Sequence, residues 1–192
     1  MRDNDRWLAA VALLVCVAAV AAFGASSPDF GQLRQPVALL GADGEPNALA
    51  FNLLGFVLPG ALLGWLAWRW RSQAGNSGWR ARLGLQMLLL SALAFAAQGL
   101  LPLDPTDLLA PASRAHAVAW SAWWIAFVAG GALAWRSRGG RGGLALVLVV
   151  LLLATGGASL MPAALAQRLA FAGWFGWWMW ASGRGAPAVS RA

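Results

Sequence analysis

Six side chains able to bind a ligand or move a proton lie near one end of the apolar segments: Asn52, Gln98, Asp104, His116, Trp120 and Arg168. A histidine beside a carboxylate suits acid–base chemistry, because the carboxylate orients the imidazole. An arginine within a membrane helix costs about 2.5–3.5 kcal/mol at the helix centre. We therefore expect Arg168 to reach the headgroups or to pair with a carboxylate, of which Asp104 and Asp107 are nearest by depth.

Other chemistries are poorly supported by the residues present. A zinc site needs three or four ligands, and the single histidine with Asp104 and Asp107 is one short at best. Because the chain has a single histidine, a haem with two histidine ligands is also excluded. Ser113 lies one helical turn from His116, but we interpret it as the N-cap of a helix rather than a nucleophile. Cys16 is a lone cysteine and is interpreted as packing. No metal or cofactor is predicted.

A structural interpretation of the same residues stands beside the chemical one. Asp104 belongs to a proline-stiffened stretch, LPLDPTDLLAPASRAH, that precedes an apolar segment. Its carboxylate would brace this loop, and His116 would bond to the carboxylate. Trp120 and Trp123 continue the His116 face of the following helix at the i+4 and i+7 positions.

The composition requires a lipid environment for the elements that position these residues. The chain has 192 residues, of which 60% are hydrophobic and 11% charged, whereas soluble domains carry about 25% charged residues. A bilayer-spanning helix takes roughly 20 residues, and backbone groups in lipid must be satisfied within the segment, so strands are excluded. We predict one all-α domain over 1–192, a six-transmembrane-helix bundle with helices at about 7–23, 48–70, 83–101, 115–135, 142–161 and 163–181.

Charge predicts the orientation of the bundle. All fourteen basic residues are arginine, and eleven fall at one end of the segments. Only Arg34, Arg114 and Arg168 fall at the other. The positive-inside rule then places both termini in the cytoplasm, and the arginine usage suggests a bacterial cytoplasmic membrane. The net charge of +7 follows from this bias, so membrane lipids, not nucleic acid, are the expected partners.

The first apolar segment has a second interpretation. Arg2 and Arg6, the apolar run after them and the small residues Ala22, Gly24 and Ala25 resemble a signal peptide. Asp3 and Asp5 argue against this interpretation, so we predict a retained helix. Cleavage would leave five helices.

Three stretches resemble a known family. They are FNLLGFVLPGALLGW from Phe51, LLPLDP from Leu100 and SRAHAVAW from Ser113. Together they are similar to the small bacterial and archaeal integral-membrane family called domain of unknown function 998, and the resemblance covers most of the chain. It implies a six-helix bundle and no established activity. The matching motif residues are Asn52, Pro59, Gly60, Asp104, Pro105 and His116.

Three hypotheses follow. The first is a protein that binds or moves a lipid or other small hydrophobic molecule in an outward-open polar pocket between helices two, three, four and six. The polar head of the bound molecule would contact Asn52, Asp104, His116 and Arg168. Trp120 and Trp123 would line the wall of the pocket. The second is an intramembrane enzyme with a His116–Asp104 acid–base pair. The third is a structural or interaction subunit. The sequence leaves open a homo-oligomer and does not identify any protein partner.

Overall fold

The computed structural model describes the backbone of residues 2–75 and 77–184, and over these residues the chain forms helices and connections without a strand. We number the six long helices in chain order: α1 Arg2–Ser26, α2 Ala48–Ser72, α3 Trp79–Leu100, α4 Pro111–Leu133, α5 Gly140–Leu160 and α6 Ala163–Gly183. The predicted all-α fold with six helices is confirmed.

Several helices extend past the predicted apolar segments. The third begins at Trp79, before the predicted 83, and the fourth begins at Pro111, before the predicted 115. Hydropathy marks only the part that needs lipid, whereas the hydrogen-bonded backbone continues through polar turns. Between α4 and α5 the chain reverses through a π-type turn, Trp135–Gly139, and Gly140 then takes a φ of +60°, a conformation that favours glycine.

A local distortion interrupts the second helix. The stretch Leu53–Val57 is π-helical and leads directly into Pro59. Proline has no backbone N–H to donate to the preceding turn, so the regular hydrogen-bond pattern cannot pass through it. The π turn accommodates this loss within one continuous helix.

Five of the helices, α1 to α5, are long and apolar enough to cross a membrane. The sixth has 21 residues, or about 30 Å at ~1.5 Å per residue, but it also carries Gln167 and Arg168. Eleven of its 21 residues are buried, a larger share than in any other of the six helices. Because other helices enclose α6, it presents less surface to lipid and needs less apolarity.

Aromatic side chains fill the centre of the bundle. Phe95 of α3 stacks on Trp174 of α6, with ring centroids 4.5 Å apart. Trp123 of α4 meets Phe171 of α6 edge-on at 5.1 Å. Towards one end, Trp70 of α2 stacks on Trp178 at 5.5 Å. These offset and edge-on arrangements are the favoured geometries for aromatic pairs. The rings therefore pack closely and fill the interior of the bundle.

The two ends of the bundle differ in charge. At the arginine-rich end, the Asp5 carboxylate pairs with Arg69 at 3.2 Å and accepts a hydrogen bond from the Trp70 indole at 2.8 Å. The Arg138 guanidinium lies 4.3 Å from the centre of the Trp70 ring. The opposite end is covered by the α1–α2 connection, residues 27–47, and the α3–α4 connection, residues 101–110.

Candidate functional site

The Asp104 carboxylate braces the α3–α4 connection. It accepts hydrogen bonds from the Thr106 hydroxyl (2.6 Å), the Thr106 backbone N–H (2.8 Å) and the Asp107 backbone N–H (3.2 Å). These bonds favour the charged form and hold the pKa of the Asp104 carboxyl below its usual value. The predicted structural role of Asp104 in the loop is confirmed.

Ser113 belongs to the same brace. Its hydroxyl accepts from the Asp104 backbone N–H at 3.0 Å and lies 2.9 Å from the Asp107 carbonyl oxygen, to which it can donate. The helix begins two residues earlier, at Pro111, with Ala110 in the N-cap position. The prediction that Ser113 caps α4 is wrong. Proline suits the first helical position because its missing N–H would have no partner there.

His116 bonds to the backbone rather than to a carboxylate. Its Nδ1 lies 2.9 Å from the carbonyl oxygen of Leu101. The last carbonyls of a helix have no partner within the helix, and this one follows directly on α3. Asp104 is occupied by Thr106 and Asp107 instead. The predicted His116–Asp104 bond, and with it the acid–base pair, is wrong.

Arg168 also finds different partners from those predicted. Its Nη1 donates to the carbonyl oxygens of Gln35 (2.9 Å) and Ala164 (3.0 Å), and its Nη2 donates to Gln32 Oε1 at 3.0 Å. Within residues 2–75 and 77–184, no carboxylate lies in ion-pair range of it, and its Nε has no hydrogen-bond partner. Pairing with Asp104 or Asp107 is wrong, because the α1–α2 connection occupies that position.

Two neutral residues hold the α1–α2 connection alongside Arg168. Buried Asn52 donates from Nδ2 to the Gly41 carbonyl oxygen at 2.8 Å. A Cβ at Gly41 would collide with the Asn52 amide, so the close approach requires glycine. Gln167 Oε1 accepts from the Val37 backbone N–H at 2.8 Å. Sequence reasoning missed Gln167, although its place beside Arg168 was a signal.

Gln98 and Trp120 do not join these polar groups in one pocket. Gln98 is fully buried, and neither of its amide atoms has a hydrogen-bond partner. Trp120 packs on Trp123 at 4.9 Å and on Phe171 at 5.7 Å between ring centroids. The predicted cavity between helices two, three, four and six is wrong, since aromatic core occupies that space. The six candidates form separate structural contacts.

A groove lies instead between α1 and α6. Its volume is about 310 Å³, and its walls are almost entirely apolar. Arg168 and Gln32 lie at one end, and exposed Val17 and Ala172 lie at its open side. The lining is formed by Leu13, Cys16, Val17, Val20, Ala21, Gln32, Leu33, Val37, Arg168, Phe171, Ala172 and Phe175. Apart from Arg168 and Gln32, ordinary apolar residues build the groove, so no sequence signal marks it.

Arg168 supplies the charged end of the groove. A guanidinium has five N–H groups, and Arg168 uses three of them on described partners. Of the other two, the Nε–H is buried, which leaves one Nη2–H that could meet an anion oxygen. The described residues contain no group of three or more His, Cys, Asp or Glu able to hold a metal ion.

The helices and their apolar surfaces define a multi-pass helical membrane protein. The chain belongs to the family described as Protein of unknown function (DUF998), whose model matches residues 10–184. The predicted family is thereby confirmed. No curated protein and no solved structure shows detectable similarity to the chain.

Proposed function

We propose that the protein binds a membrane lipid with an anionic head in the α1–α6 groove. One observation carries this proposal. Arg168 lies at the end of an apolar groove and has no described carboxylate partner. The acyl chain would lie along the walls, and the anionic head would accept from Arg168. About 310 Å³ is at the lower end of small-molecule pockets, which span about 300–1,000 Å³.

The polar end of the groove would determine selectivity. A lipid tail already lies in hydrocarbon, so moving it into the groove yields little hydrophobic free energy. Hydrogen bonds to a charged group contribute about 1.5–3 kcal/mol. Recognition would therefore depend mainly on the Arg168 head contact, with the apolar walls selecting the shape of the chain.

The orientation of the bundle is part of the proposal. Arginines concentrate at the end that holds Arg69 and Arg138, opposite Arg168. The positive-inside rule places that end, and with it both termini, in the cytoplasm of a bacterial cell. Arg168 would then meet lipid of the outer leaflet of the cytoplasmic membrane.

Native mass spectrometry of purified protein tests the head contact. We expect anionic lipid to accompany the wild type and to fall roughly tenfold in Arg168→Gln, as the loss of one charged hydrogen-bond site implies. Arg114→Gln is the matched control, because Arg114 is exposed at the same end and does not line the groove. Equal lipid on all three proteins would contradict the proposal.

A second variant separates binding from the bracing role of Arg168. Ala172→Phe fills the groove from its exposed side and leaves the hydrogen bonds of Arg168 in place. We expect this variant to lose the lipid with unchanged thermal stability. Ala145→Phe is the control, because Ala145 is exposed on α5 outside the groove. Retention of the lipid by Ala172→Phe would exclude the groove as the site.

A further inference from the structure

A second recess lies at the arginine-rich end. It has a volume of about 610 Å³ and lies where the first turn of α3 meets the end of α4 and the turn that follows. Its lining is Gly78, Trp79, Arg80, Ala81, Ala132, Leu133, Trp135, Arg136 and Ser137. No acidic side chain is among these, so its two arginines leave the recess strongly positive.

The two guanidiniums of the recess lie beside indole rings. Arg80 is 5.5 Å from the centre of the Trp79 ring, and Arg136 is 5.1 Å from the centre of the Trp135 ring. A cation over an aromatic face is attracted to it but keeps its charge and its hydrogen-bond donors. Both arginines are exposed and have no described carboxylate partner.

Other arginines at this end differ from this pair. Arg69 is paired with Asp5 at 3.2 Å. Arg138 is half-buried over Trp70. Arg71 and Arg82 are exposed but do not line the recess. Arg80 and Arg136 are therefore two cations without a described carboxylate partner that line one concave surface.

We infer that this recess binds the phosphate-bearing head of an anionic phospholipid in the leaflet at the arginine-rich end. Arginine matches phosphate oxygens in geometry as well as charge. Trp79 and Trp135 have the amphipathic side chains that favour the headgroup level of a bilayer. Ala132 and Leu133 supply an apolar surface for the first methylenes of the acyl chains. This site is separate from the α1–α6 groove.

The test titrates the full chain with dioleoylphosphatidylglycerol or dioleoylphosphatidylcholine in native mass spectrometry. Every protein carries Ala172→Phe, so that the groove is blocked and the result does not depend on its proposed role. We expect Arg80→Gln with Arg136→Gln to weaken phosphatidylglycerol binding about thirtyfold, from two lost headgroup contacts, and to leave phosphatidylcholine binding unchanged. Arg71→Gln with Arg82→Gln removes the same charge outside the recess and should weaken binding much less than the first pair does.

Several outcomes would overturn the inference. Equal weakening by the two double variants would show general attraction to a positive surface. Equal binding of both lipids by the parent protein would exclude an anionic-head site. Displacement of phosphatidylglycerol by equimolar glycerol 3-phosphate would identify a soluble ligand instead of a lipid.

A single substitution checks the recess without removing an arginine. Ala132→Glu places a carboxylate on the exposed wall of the recess, where it can pair with the arginines. We expect it to reduce phosphatidylglycerol binding as strongly as the arginine pair does. Ala132→Gln, of similar size and without charge, should weaken binding much less than Ala132→Glu does. Equal binding by Ala132→Glu and Ala132→Gln would contradict the inference.

Discussion

The α3–α4 contact and the α1–α6 contact are built differently. Gly84 and Gly130 bring α3 and α4 so close that a Cβ at Gly130 would lie 2.8 Å from the Leu88 backbone nitrogen. Between α1 and α6, the facing residues leave a groove of about 310 Å³ with Ala172 at its open side.

Hydrogen bonding at the ends of these helices differs in the same way. Beside α3 and α4, Asp104, Ser113 and His116 all bond within the α3–α4 connection. Beside α1 and α6, Arg168 keeps an Nε without a partner. The difference teaches that polar residues alone do not mark a site in this bundle. At this end of the bundle, among the described residues, the α1–α6 contact places a guanidinium with an unpartnered N–H beside an open groove.

The largest expected effect comes from adding a methyl group where α3 and α4 are in close contact. In Gly130→Ala the new Cβ would meet backbone, which cannot move aside as a side chain can. We expect a loss of about 2–3 kcal/mol in the free energy of unfolding, seen as a lower midpoint in thermal or denaturant unfolding. Gly156→Ala is the control, because a Cβ there meets nothing within 4 Å. If both variants unfold alike, the α3–α4 contact is looser than described.

A smaller loss is expected where the α1–α2 connection meets the bundle. Asn52→Ala removes the donor to the buried Gly41 carbonyl, and an unsatisfied buried group costs about 1–3 kcal/mol. The midpoint of thermal unfolding should fall accordingly. Asn47→Ala should have little effect, because Asn47 makes no side-chain capping bond. An unchanged midpoint in Asn52→Ala would remove Asn52 from the brace.

His116→Ala tests whether this histidine is structural. It removes the bond to the Leu101 carbonyl oxygen, so we expect a loss of about 1 kcal/mol without a change in lipid retention. Thermal unfolding and native mass spectrometry on the same sample separate the two effects. Loss of lipid at unchanged stability would restore the chemical interpretation of His116.

The smallest effect should appear as a pH dependence. The Asp104 carboxyl has a pKa below its usual 3.8 in the folded protein, so the folded state favours the charged form. Its contribution to stability is complete above the unfolded pKa and is lost as pH falls through the lower folded pKa. The unfolding midpoint of the wild type should therefore fall further than that of Asp104→Asn as the pH drops from about 5 to about 2, through the unfolded pKa and towards the lower folded pKa.

Asp43→Asn is the control for this pH dependence. Asp43 is exposed, and its carboxylate makes no described hydrogen bond. It should follow the wild type through the same pH range. A wild type and an Asp104→Asn variant with parallel pH profiles would show that the bonds to Thr106 and Asp107 do not stabilise the loop.

The helices were predictable from sequence, whereas the contacts of the polar residues were not. Length and hydropathy marked all six helices, because a segment that crosses lipid must satisfy its own backbone. Two of the three partners of Arg168, Gln32 and Gln35, lie in residues 27–47, which carry no periodic pattern. The partner of His116 is the Leu101 carbonyl oxygen. Every residue has a backbone carbonyl oxygen, so the sequence does not indicate which one the imidazole contacts.

The groove could not be predicted from the sequence either, for a different reason. Leu13, Val17 and Ala172 are common membrane residues, and only their placement across two helices distant in sequence makes an open volume. The family motif residues Asn52, Asp104 and His116 were found from sequence, but the structure shows that they hold the connections. Motif residues can therefore support an architecture without forming its binding site.

Photo-crosslinking tests the central claim most directly. The full chain is reconstituted with an anionic phospholipid that carries a diazirine in its acyl chain, irradiated, digested and mapped by mass spectrometry. We predict that adducts concentrate on residues 13–21 and 171–175, and that Ala172→Phe removes them. Adducts spread over the exposed face of α5, around Leu148 and Leu152, and unchanged by Ala172→Phe would contradict a lipid site in the groove.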